Sequence, residues 1–75
     1  MNKERRRQLS EWSRRAEELK NDLENIMYEE QDYYNNIPEN LQYSMRATDS
    51  EEAIENMEAA SESLDEAIST IGGII

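Results

Sequence analysis

The sequence predicts an all-α protein built as a long antiparallel two-helix hairpin of coiled-coil character. Three observations predict it: a composition rich in helix formers, two runs of heptad-spaced apolar residues, and one Asn- and Pro-bearing segment between them. Glu, Ala, Leu, Lys, Arg and Met dominate, and all six favour helix. There are two Gly, one Pro and no Phe, whereas strands need branched and aromatic residues punctuated by Gly or Pro.

In the first helix, Leu9, Trp12, Ala16, Leu19, Leu23, Ile26, Glu30, Tyr33 and Ile37 follow one another in alternating steps of three and four. That is a heptad seam with one acidic break, and Met27 and Tyr34 widen it on one side. The spacing predicts a helix over about residues 3–35, roughly 50 Å long at 1.5 Å per residue. Asn35-Asn36-Ile37-Pro38 stops it, because Pro disfavours the α conformation in the residue before it and Asn suits caps and turns. The turn spans 36–43, and Pro38-Glu39-Asn40-Leu41 suits one further helical turn with Pro at its first position.

The second helix is expected over about residues 44–71. Ser44 offers one cap, and Thr48 with Glu51 offers a later capping box; the earlier start is preferred. Ile54, Met57, Ser61, Leu64, Ile68 and Ile71 form its seam, Ala53, Ala60 and Ala67 a flanking line, and Gly72-Gly73 its end. Two such helices with a short connection pack antiparallel, with facing residue numbers summing to about 80. Leu19 then meets Ser61, Leu23 meets Met57, Trp12 meets Ile68, and Arg14 and Arg15 lie beside Asp65 and Glu66. A 75-residue chain is one domain and buries only ~60% of its unfolded surface. A homodimer closing into a four-helix bundle is the expected remedy.

Charge is distributed unevenly. Eighteen acids oppose eight bases for a net −10; residues 1–20 hold seven of the bases and carry +3, and residues 21–75 carry −13 with Arg46 as the lone base. Such a surface repels nucleic acid and anionic membranes and attracts basic proteins. The basic run Lys3, Arg5, Arg6 and Arg7, interrupted by Glu4, is read as pairing with the acidic end of the second helix or of a dimer mate. No apolar run reaches ten residues, so neither a signal-peptide core nor a membrane span is expected.

With no Cys there is neither a disulfide framework nor a thiolate metal site, and with no His the commonest general base and metal ligand is missing. No catalytic residue, cofactor or metal site is assigned. Glu51, Glu55, Glu58, Glu62 and Asp65, with Glu52 beside them, form one acidic row on the second helix. Its charges fall every ~5 Å, a loose match to the ~3.4 Å of a nucleic-acid strand. The row is either a solvated face or a partner-binding surface imitating a phosphate backbone. Tyr28, Glu29, Asp32 and Tyr43 near the turn form a second candidate partner site, since tyrosine gives contact area at low entropy cost. Glu30 on the seam needs a partner, and Arg46 is expected to form a structural ion pair with it.

The segment Glu29-Glu30-Gln31-Asp32-Tyr33-Tyr34-Asn35-Asn36-Ile37-Pro38-Glu39-Asn40-Leu41-Gln42, with Ser44, Arg46 and Glu51-Glu52-Ala53-Ile54-Glu55-Asn56-Met57, carries a resemblance. It resembles small acidic helical proteins encoded by phages and mobile elements of Gram-positive gut bacteria. Tyr43 and Met45 depart from the small and charged residues usual there. The resemblance implies a phage or mobile-element origin and brings no activity with it; with no signal-peptide core or span expected, the expected location is the cytoplasm of a bacterial host cell. The expected function is therefore non-enzymatic: a phage-encoded inhibitor of a host defence protein, anti-CRISPR-like, whose acidic face occupies a basic nucleic-acid channel. The alternative is a structural or assembly accessory acting through helix–helix oligomerisation.

Overall fold

The computed structural model describes residues 1–75 as two long helices, α1 (Lys3–Asn35) and α2 (Met45–Gly72), joined by a connection with a single 3-10 turn, Glu39–Leu41. They lie side by side as an extended hairpin of 59 × 15 × 13 Å, and no strand is present. Neither helix is long and apolar enough to cross a membrane.

The ends are fixed by local hydrogen bonds that the sequence supplies. At the start of α1 the Arg5 N–H donates to the Asn2 side chain at 2.8 Å, satisfying one of the orphan amides of a first turn. At its end the Asn36 side-chain amide donates to the Asp32 carbonyl at 2.7 Å. Pro38 is extended (φ −55°, ψ 143°) and its carbonyl accepts from the Leu41 N–H at 2.8 Å, closing the 3-10 turn. Ser44 caps α2, accepting from the Ala47 N–H at 3.3 Å. The later Thr48 box is unused, and Thr48 instead donates its hydroxyl to the Ser44 carbonyl. At the far end Gly73 stays in the right-handed region (φ −71°).

The core is thin. Six residues are buried, namely Ala16, Met27, Ile37, Ala47, Ser50 and Ser61, and no large side chain is fully enclosed. Four of the six are Ala or Ser. Small residues set a short distance between axes, and close approach leaves little room for bulk at the contact. On α2 the inward residues are the expected seam, extended toward the turn by Ala47 and Ser50.

On α1 the inward face is rotated from the one expected. Leu9, Ala16, Leu23, Glu30 and Ile37 turn toward α2, but the row accompanying them is Ser13, Lys20, Met27 and Tyr34 rather than Trp12, Leu19, Ile26 and Tyr33. Adjacent positions on a helix are about 100° apart, so the bulky row is carried to the rim. Polar matching accompanies the rotation. Lys20 reaches Asp65 across the interface at 2.7 Å and Glu24 on its own helix at 3.5 Å. The Ser61 hydroxyl donates to Glu24 at 3.2 Å, and the Ser50 hydroxyl to Glu30 at 2.7 Å. No buried side-chain polar atom is left without a partner.

Candidate protein-interaction surface

The rotation leaves four large side chains in one exposed row along α1. Trp12 is 37% exposed, Leu19 62%, Ile26 55% and Tyr33 44%. They are spaced seven apart, so all four share one side of the helix over roughly 32 Å. Isolated exposed apolar residues are ordinary, whereas four large ones aligned on one helix face form an apolar stripe of the kind found at protein contacts.

The neighbouring side of α2 matches it. Tyr33 and Ala53 line one shallow groove with Glu30, Arg46, Asp49 and Ser50, and Trp12, Leu19 and Leu64 line another. Continuing from Ala53 at helical spacing come Asn56, Ala60, Ser63, Ala67 and Thr70, none of them charged. This neutral strip is notable because α2 holds eight acids. The hairpin therefore has one side made of a bulky apolar row beside a line of small residues.

The acidic candidates lie elsewhere. Glu51, Glu52, Glu55, Glu58, Glu62 and Asp65 are all exposed. Glu51 and Glu55 border a groove with Gln31, Tyr34 and Ile54, around the seam from the Trp12 row. Asp65 is tied to Lys20, while the other five form no ion pair. The Asp65 hydrogen bond holds the Lys20 ammonium above the usual lysine pKa. No three acidic side chains converge closely enough to hold a metal ion.

The turn-end candidates are not one cluster. Tyr43 is fully exposed on the connection, and Tyr28 is exposed on α1. Tyr28 and Asp32, four apart, share the back of α1, whereas Glu29 is turned about 100° away toward the apolar row. The expected Glu30–Arg46 ion pair is absent. Both residues border the same groove, but the Glu30 carboxylate takes its hydrogen bond from Ser50, a shorter side chain on the seam itself. Nor do Arg14 and Arg15 meet Asp65 and Glu66. Arg14 bridges Glu11 and Glu18 within its own helix, and of the basic run only Arg7 is paired, with Glu4 on the same helix; Lys3, Arg5 and Arg6 form no ion pair with α2. These bridges hold the Glu4 and Glu11 carboxyls below their usual range.

Lys20 was the residue that sequence reasoning missed, and Ser50, which the antiparallel register sets opposite Glu30, takes the place expected for Arg46. The signal was present, since Ser13, Lys20, Met27 and Tyr34 also recur every seven residues. Compared with protein-family models, curated proteins and solved structures, the chain matches none. The functional reading therefore stands on this surface.

Proposed function

We propose that this chain is a non-enzymatic protein-binding module that acts by helix–helix packing along the exposed row of α1. The observation that carries it is the row itself: four large side chains at heptad spacing, exposed beside an uncharged strip of α2. A helix with an apolar stripe gains most by burying it against another helix. The thin core supports the same reading, because a hairpin this short leaves surface for a partner to cover. The module works as a structural or assembly accessory, and its acids keep it soluble.

A second reading has its own observation. Seven of the eight acids of α2, all of them exposed, have no intramolecular ion partner. On that reading the chain is a phage-encoded inhibitor whose acidic face occupies the basic nucleic-acid channel of a host defence protein. The two differ in salt dependence, since exposed charge contacts are screened over ~10 Å at 0.1 M and apolar packing is not.

Immobilised protein in three forms separates them: wild type, Leu19→Glu with Ile26→Glu, and Glu55→Gln with Glu58→Gln and Glu62→Gln. Retained proteins are identified by mass spectrometry after low- and high-salt washes. Packing along α1 predicts retention through high salt, loss in the first variant and none in the second. Loss in the glutamine variant and release by salt would overturn it in favour of the inhibitor.

A further inference from the structure

We propose that the occupant of the α1 row is a second copy of this chain, bound antiparallel about a two-fold axis near Asp22 and Leu23. This rests on reading the row as a docking surface and goes further by naming what docks there.

The row is self-complementary when reversed. It reads aromatic, aliphatic, aliphatic, aromatic from Trp12 to Tyr33. In an isologous pair every contact occurs twice. Facing numbers summing to about 45 place Trp12 against Tyr33 of the second copy and Leu19 against its Ile26, matching size with size.

Charge selects the same arrangement. α1 carries seven bases and nine acids, close to balance, and all seven bases lie between Lys3 and Lys20. Residues 3–20 are +3 and residues 21–35 are −5, while the connection and α2 hold nine acids against Arg46. Pairing through α2 would set strongly acidic surfaces together. Parallel pairing through α1 would set like half against like half. Only antiparallel pairing through α1 lays each basic half over an acidic one. Arg15 and Glu29 flank the row on the same side, and the register brings Arg15 of each copy to Glu29 of the other. A basic foreign partner would instead be drawn to the outer acids of α2.

The area is sufficient. A face about 32 Å long, taken across both helices, covers roughly 500–700 Å² per copy, or about 1,000–1,400 Å² in total, at the lower edge of a specific interface. The small residues Ala53, Ala60 and Ala67 give the incoming α1 room beside α2, so the product is a four-helix bundle with the α1 pair central.

The chain has no cysteine, so single thiols report the register directly. Asp22→Cys and Gln8→Cys lie on the same helical row and differ only in distance from the axis. In the proposed pair, residue 22 lies within about 2 Å axially of its own counterpart, and residue 8 about 43 Å from its own. Sedimentation equilibrium on the unmodified protein should give twice the 8.8 kDa chain mass. A short bismaleimide should link Asp22→Cys and leave Gln8→Cys unlinked. Equal linking of both variants, or linking of Gln8→Cys alone, overturns the antiparallel register. A monomer at all concentrations overturns the second copy as occupant. In that case loss of captured proteins in Leu19→Glu with Ile26→Glu leaves the docking surface standing, and retention removes both.

Discussion

Removing the Ser50 hydroxyl tests how the seam satisfies the half-buried Glu30 carboxylate. Ser50 is buried and donates to Glu30 at 2.7 Å across the hairpin. A hydrogen bond to a charged acceptor contributes about 1.5–3 kcal/mol. Glu30 is only half-buried, so water recovers part of the loss and Ser50→Ala should cost about 1–2 kcal/mol. For a chain this size that lowers the unfolding midpoint by about 5–15 °C. Arg46→Ala removes no ion pair and should stay within about 0.5 kcal/mol of wild type. Thermal unfolding followed by helical circular dichroism gives both numbers. Protein concentration must be fixed, because association shifts the midpoint. A cycle with Glu30→Ala should show coupling to Ser50 of about 1 kcal/mol and none to Arg46. An unchanged Ser50→Ala midpoint, with Arg46 coupled to Glu30 instead, would refute the assignment.

Ile37→Ala, at the buried junction of α1 and the turn, should cost about 2–4 kcal/mol, read as a lower urea midpoint; a shift under ~0.5 kcal/mol would mean that the junction holds no core. Lys20 adds a pH dependence with a definite sign. Its pKa is raised above 10.5 by Asp65, so its contribution is complete below that value and lost as pH rises through the raised one. The urea midpoint of wild type should exceed that of Lys20→Gln at pH 8, and the gap should close in strong alkali; a gap independent of pH contradicts the Asp65 contact. Asp22→Asn removes a like-charge apposition at the proposed two-fold axis and should tighten self-association about 2–5-fold at low salt, measured by sedimentation; weaker association would move the axis elsewhere.

The elements were legible because their signals are local. Ser44 as cap, Asn36 and Pro38 as the stop, and the α2 seam from Ile54 to Ile71 follow from rules acting over a few residues. The inward row of α1 was not legible in the same way. Residues 12, 19, 26 and 33 and residues 13, 20, 27 and 34 both recur every seven positions, and hydrophobicity favours the first set. Which of two adjacent rows faces α2 is decided by tertiary matching: the small Ala16, Ala47, Ser50 and Ser61 draw the helices close, and Lys20 and Glu30 find partners on α2. The Glu30–Arg46 expectation failed for a related reason. Register brings several residues near Glu30, and a buried serine on the seam needs less reach than an arginine on the rim. The acidic row was plain from spacing and is exposed as expected; the apolar surface emerged only once the seam was placed.

Trp12 is the sole tryptophan and stands at one end of the exposed row, so its fluorescence tests the central claim most directly. Emission and acrylamide quenching should be followed over a dilution series in low and in high salt. Covering of the α1 row predicts blue-shifted, protected emission at high protein concentration. It also predicts a red shift and ready quenching on dilution at either salt level, and in Leu19→Ser at all concentrations. Emission characteristic of a solvent-exposed indole at every concentration, unchanged by Leu19→Ser, would contradict it.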